Sequence, residues 1–289
     1  MIIVVPVSST DKEVVQEFVQ MFNLFGPYEN HELVVVSRPA DFKMGREVYR
    51  AIEDNGFIKK RHHTLDEDGR RGWPGGPNHY WRETALFLRD EYGNTEDKPW
   101  LFLEMDMTPI HKNWADKLEE GYDACGKPFM GNLSWTTTNT SEQEILKLCQ
   151  HLVGAAIYPP DLDPYSKIWT KVDRINTAWD VLLQWEFPQH AHDTDLIQFC
   201  FRTCNYTKRR DEVGGWIIQG DDRDEWPGDG SYTFANPIEI GTAVLVHGCN
   251  DGSLARLVYK EITGGEMVIE EKVIPPNANA VSAGAANII

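Results

Sequence analysis

Trp100-Leu101-Phe102-Leu103-Glu104-Met105-Asp106-Met107-Thr108-Pro109 is an apolar run that breaks into two carboxylates and then a proline. Its first half has β-forming residues without polar interruption, as in a strand covered on both faces of a sheet. Pro109 cannot donate to a ladder and stops the pairing. Side chains at i and i+2 of an extended strand point the same way. Glu104 and Asp106 are therefore expected to share one ligand at the carboxyl edge of an open α/β sheet, where such sheets place their sites. Hard oxygen donors suit Mn²⁺ or Mg²⁺. The expectation is a divalent cation that carries a diphosphate. An ordinary strand end with solvated acids is the plain alternative.

Upstream, residues 2–7 read as a short buried strand, Ile2-Ile3-Val4-Val5-Pro6-Val7. Thr10-Asp11-Lys12-Glu13 has the form of a capping box. It is expected to open a helix with Val14, Phe18, Met21 or Phe22, and Phe25 on one face, closed by Gly26-Pro27. Leu33 to Ser37 is the next apolar run, so the segment reads as a parallel, right-handed βαβ unit. Residues 53–77 are dense in Gly, Asp and Pro and read as a long irregular loop. Asn78 is expected to cap a helix carrying Trp81, Ala85, Leu88 and Tyr92, ended by Gly93.

Downstream, a helix is expected near residues 111–122 and a strand around Phe129–Trp135. Ser141-Glu142-Gln143-Glu144 reads as a second capping box, before a helix with Ile145, Leu148 and Leu152. Val153 to Tyr158 reads as a strand. Asn176 is expected to cap a helix through Trp179, Leu183 and Trp185. Residues 208–237 read as loop or weak hairpin. Thr242 to Val246 is the last core strand, ending at His247-Gly248, and a helix follows from Ser253. Met267 to Ile274 alternates like an edge strand, and 275–289 reads as a mobile tail.

The chain has 289 residues, 41% of them hydrophobic, enough for one large domain over 1–274. Its net charge of −17 disfavours long-range attraction to nucleic acid or an anionic membrane. Five cysteines form no regular framework, no charged leader precedes the first strand, and no apolar run reaches the ~20 residues of a span. A reduced, cytoplasmic setting is expected, with neither membrane nor obligate protein partner.

Three features converge: the acidic strand end, a first strand running straight into a helix whose N–H groups can face a phosphate, and His247 where a buried strand stops. A histidine in such a place is commonly a hydrogen-bonded core residue. Beside the acidic strand it becomes a third metal ligand. With Pro6-Val7-Ser8 at the start, Glu104-Met105-Asp106 in the middle and His247-Gly248 near the end, the chain resembles GT-A-fold glycosyltransferases over roughly residues 1–265. The resemblance implies a Rossmann-like mixed sheet flanked by helices. A nucleotide-sugar-binding half, about 1–130, would precede an acceptor half, about 131–274. It implies a nucleotide-diphosphate sugar donor, UDP-linked, and Mn²⁺ or Mg²⁺ held by Glu104, Asp106 and His247. Pro6 and Ser8 would line the nucleobase pocket, with Arg38, Asn78 and Arg82 against the nucleotide or diphosphate. Glu104 departs from the family's usual aspartate, which leaves direct ligation or contact through water both open.

His190-Ala191-His192-Asp193-Thr194-Asp195 is the other dense titratable cluster. In the acceptor half, Asp193, with Asp195 second, is the expected base for an acceptor hydroxyl. A charged loop in which these acids cap the next helix is an equal reading. A metal-dependent hydrolase centred on His190, His192 and Asp193 is a rival function, and a non-catalytic nucleotide-sugar-binding module another. The basic runs Lys59-Lys60-Arg61-His62-His63 and Lys208-Arg209-Arg210 read as solvated faces or as phosphate contacts. Trp73-Pro74-Gly75-Gly76-Pro77-Asn78 and the residues after His247 resemble bacteriophage-encoded glycosyltransferases. That likeness implies a host cytoplasm and, as one acceptor, hydroxymethylated bases in DNA.

Overall fold

A computed structural model describes residues 1–69, 72, 75–92, 98–139, 146–162, 178–183, 187–199, 207–210, 216–219, 238–239, 243–248 and 252–269. A seven-stranded sheet organises the molecule, in the order β3-β2-β1-β4-β7-β6-β8. β1 (Ile2–Val7), β2 (Glu32–Ser37), β3 (Lys59–Thr64) and β4 (Trp100–Phe102) run parallel. β7 (Leu146–Tyr158) pairs antiparallel to both β4 and β6 (Phe129–Asn139), and β8 (Ala191–Asp193) closes the edge parallel to β6.

β1 lies between two partners, which is why its apolar run is unbroken. Its Ile3, Val5 and Val7 face a core shared with α1 (Val15–Phe25), α2 (Phe42–Ile52) and α4 (Trp114–Cys125). Ile2 and Val4 face a second core under α3 (Gly75–Tyr92). Burial on both faces is the property that continuous hydrophobicity encodes in parallel sheets. A small second sheet, β5-β13-β9, joins Thr108–Pro109, Leu245–His247 and Ile197–Phe199. α6 (Ser253–Thr263) follows it and packs on α1. β10 (Thr207–Arg210), β11 (Trp216–Gln219) and β12 (Ile238–Glu239) form an antiparallel ribbon, in line with the weak hairpin expected there.

Several local expectations are corrected. The capping box at Thr10–Glu13 does not form. Ser8 caps a 3-10 turn over Ser9–Asp11 by accepting from Thr10 N, and α1 starts only at Val15. The stretch 53–77 is not loop throughout, for Lys59–Thr64 is an edge strand. Its cations lie over aromatic rings, Lys59 above Tyr92 and Arg61 above Phe87. α3 starts at Gly75, so Asn78 sits inside the helix. The helix expected from Ile145 through Leu152 is strand from Leu146, because thirteen residues there pair with β6 or extend that ladder toward β4. Residues 267–269 form no strand, and 270–289 lie outside the described residues, as do Ser141–Ile145, Asn176 and Trp185.

Candidate metal centre and active site

β4 stops at Phe102, and one more bond, Leu103 N to Val4 O, holds the chain on the sheet. A turn follows, closed by Met107 N donating to Glu104 O at 3.0 Å. Glu104 and Asp106 thus converge through a turn just beyond the sheet edge, not through strand alternation. β5 then pairs antiparallel to β13 with Val246 opposite Thr108. One residue further, this register carries His247 beside Met107 and onto the acidic turn. Gly248, with φ of 100°, leads the chain away through a conformation open mainly to glycine.

His247 Nε2 lies 3.0 Å from Glu104 Oε2 and 3.3 Å from Asp106 Oδ1. A single ring N–H serves only one of them well, and Asp106 Oδ1 is buried with its hydrogen-bonding capacity unmet among the described residues. The three donor atoms fall within 4.8 Å of one another, a spacing that one ion can bridge. Two hard oxygens with one imidazole fit a divalent cation such as Mn²⁺. Among the described residues, no other group of His, Cys, Asp or Glu converges in this way. Burial alone would lower the His247 pKa, but Asp106 and Glu104 outweigh it and hold the imidazole well above its ordinary value. A bound cation would take the place of that proton.

A third acid lies within electrostatic reach of the pair. Asp11 ends the 3-10 turn after β1. Its carboxyl is pushed up to about 7 by burial, then by the charges of Asp106 and Glu104. Within Thr10-Asp11-Lys12-Glu13 this residue has the look of a helix cap, and an acid four residues past a strand end gives little other signal. Gly154 on β7 makes room for Glu104. A Cβ there would meet the Trp179 ring at 2.9 Å and Glu104 Oε1 at 3.5 Å.

At the carboxyl ends of β1 and β2, Ser8, Arg38, Asp41 and Tyr80 form a second polar group. Arg38 donates from Nε and Nη2 to Asp41 Oδ2 at 2.9 and 2.7 Å, reaches Ser8 Oγ at 3.4 Å, and lies over the Tyr80 ring. Tyr80 donates to Val7 O. Pro6 comes two residues after the last β4 partner of β1, where a missing N–H is tolerated. Asn78 Oδ1 accepts from Trp179 N at 2.7 Å and so fixes the short helix α5 (Trp179–Leu182). Arg82, one turn on, is half-buried and pairs with Glu83.

Asp193 and Asp195 are not gathered to this centre. Asp193 Oδ1 accepts from Leu133 N at 2.9 Å on β8. β7 and β6 separate β8 from β4, which at ordinary strand spacing is about 14 Å. His190 and His192 flank the start of the same exposed strand.

No protein-family model matches the chain, and no curated protein does. Solved structures do. A crystal structure of an active-site mutant of LgtC is 12% identical with a TM-score of 0.50, covering 94% of this chain and 98% of that one. The galactosyltransferase LgtC with donor and acceptor sugar analogs is 13% identical, TM-score 0.45, over 69% of this chain and 76% of that one. Mouse xyloside xylosyltransferase 1 is 11% identical, TM-score 0.44, over 68% and 86%. At such identities the likeness is one of fold, and it agrees with the strand order and flanking helices described above: the chain has the GT-A, Rossmann-like fold.

Proposed function

We propose that the protein is a metal-dependent glycosyltransferase that moves a hexose or similar sugar from a UDP-linked donor to an acceptor hydroxyl. One observation carries this reading: Glu104, Asp106 and His247 meet around a single point at the carboxyl edge of the parallel strands. In this fold class, ligands bind at that edge. Glu104, Asp106 and His247 would hold Mn²⁺ or Mg²⁺, which when bound supplies Lewis-acid stabilisation of the departing diphosphate. Ser8 and Arg38, with Pro6 behind them, would wall the nucleoside side. Tyr80 and Asp41 keep the Arg38 guanidinium in place. Asn78 would act through α5, and Arg82, on α3, would contact the diphosphate.

The acceptor is a hydroxyl compound. Should that hydroxyl reach β8, Asp193 is the carboxylate to take its proton, with Asp195 beside it. The basic run on β3, read as a solvated face or as a phosphate contact, is matched by acids: Lys59 by Glu32, Lys60 by Asp54 and Arg61 by Glu91. Such pairing argues against a phosphate-backbone surface there. Among the described residues, no helix is long and apolar enough to cross a membrane.

The test is Asp106→Ala assayed for Mn²⁺-dependent release of UDP from UDP-sugars. Turnover should vanish while the melting transition stays cooperative. Wild-type activity in this variant would remove the metal assignment.

A further inference from the structure

His62 and Ser37 meet at the open edge of the large sheet, outside every role assigned above. β3 is the outermost strand there and pairs with β2, His62 opposite Val35 and Thr64 opposite Ser37. His62 Nε2 lies 2.9 Å from Ser37 Oγ. The Phe42 and Tyr49 rings of α2 lie against the imidazole, with centroids at 5.3 and 6.1 Å. Gly45 of α2 closes the remaining side. A Cβ there would come 2.6 Å from Ser37 Cβ and 2.9 Å from His62 Nε2. One side-chain bond thus ties β3 to the end of β2 in a place without slack.

That bond depends on the charge of the ring. Ser37 is wholly buried, and His62 is the one partner of its hydroxyl among the described residues. A neutral imidazole with its proton on Nδ1 accepts from that hydroxyl through Nε2. An imidazolium has no acceptor left, so the Ser37 hydrogen would stay unmet away from water. The charges facing the ring oppose its protonation as well. Burial first, then His63 beside it on β3 and Arg46 on α2, hold His62 below its ordinary pKa. Tyr49 gives only its ring, since its hydroxyl bonds Glu53. Among the described residues no carboxylate pairs with His62. His63 turns to the opposite face, stacking on Phe87 at 3.8 Å within reach of Arg61, Asp66 and Glu91.

We propose that His62 is an acid-sensitive clasp on the edge strand. Neutral, it ties β3 to the end of β2; protonated, it lets the strand go. A histidine whose pKa falls on folding gives its full stability above the unfolded value of 6.5. That stability is lost as pH drops from there toward the folded value. The release has a place to act. Leu65 N bonds Ser37 O and Ala40 N bonds Asp68 Oδ1, so the chain leaving β3 is fastened on either side of Arg38. Freeing it would loosen the nucleoside wall, a consequence that rests on the nucleotide reading, whereas the clasp itself does not.

The experiment is hydrogen–deuterium exchange of the whole chain in EDTA at pH 7.5 and 5.5, corrected for intrinsic exchange rates. Wild type is compared with His62→Gln, since glutamine can still bond Ser37 but does not titrate. In wild type, protection of peptides covering 59–65 should fall about three- to tenfold in acid relative to β1. Tenfold is about the ceiling for a group of ordinary pKa 6.5 read one unit lower. In His62→Gln the fall should stay under about twofold. Ser37→Ala, which removes the hydroxyl, should blunt it too, and decides the matter alone if His62→Gln does not fold. An equal fall in wild type and variant, or none in wild type, overturns the clasp. No nucleotide enters the measurement, so failure of the donor reading would leave these outcomes standing.

Discussion

Replacing Asp11 with Asn should stabilise the cation-free protein at alkaline pH and much less so in acid. The Asp11 carboxyl is raised from 3.8 to about 7 on folding, by burial and by Asp106 and Glu104. An acid raised on folding favours the folded state most below its unfolded value. That stability is lost as pH climbs toward the folded value. Between pH 5 and pH 8 wild type should therefore lose about 2–3 kcal/mol that the neutral amide does not lose. At roughly 2 °C per kcal/mol for a chain of this size, the melting-temperature advantage of Asp11→Asn should grow by about 5 °C over that interval. Other groups titrate in the same range, but they are common to both proteins and cancel in the difference. The assay is differential scanning calorimetry in EDTA at pH 5, 6, 7 and 8, repeated with Mn²⁺. The cation should shrink the gap by offsetting the repulsion among the three acids. Parallel pH profiles for the two proteins in EDTA would refute the placement of Asp11 beside the acidic turn.

Mn²⁺ affinity should rise with pH, since both the His247 proton and the Asp11 proton oppose the cation. Calorimetric titration in buffers of different ionisation enthalpy should show between about one and two protons released; no release at pH 6.5 would contradict it. Gly154→Ala puts a methyl 2.9 Å from the Trp179 ring. It should cost about 1–3 kcal/mol in urea unfolding and depress turnover through displaced Glu104. Unchanged stability would mean the space is larger than described. Tyr80→Phe removes the hydroxyl that bonds Val7 O and Asp41. It should lower stability by about 1–2 kcal/mol and weaken UDP binding through a loosened Arg38, measurable by titration calorimetry.

The sequence made the centre of the sheet legible because β1, β2 and β4 are buried on both faces and so read as unbroken apolar runs. The acidic pair and His247 were legible because each stands where such a run stops. What failed was the reason for their meeting, which is a turn and the β5–β13 register, both tertiary matters. β3 was hidden since an edge strand carries charge, and Lys59-Lys60-Arg61 gives no hydrophobic signal. β7 was misread because Ile145, Leu148 and Leu152 fall at helical spacing by accident, while pairing with β6 decides the conformation. Asp11 has no motif of its own and acquires its role only from the acids the fold places near it.

The most direct test is a crystal grown or soaked with Mn²⁺ and UDP, read by anomalous scattering at the manganese edge. A single peak roughly 2–2.3 Å from Asp106 and His247, with diphosphate oxygens completing the shell, is the predicted result. Manganese elsewhere, with the His247–Glu104 contact intact, would contradict it.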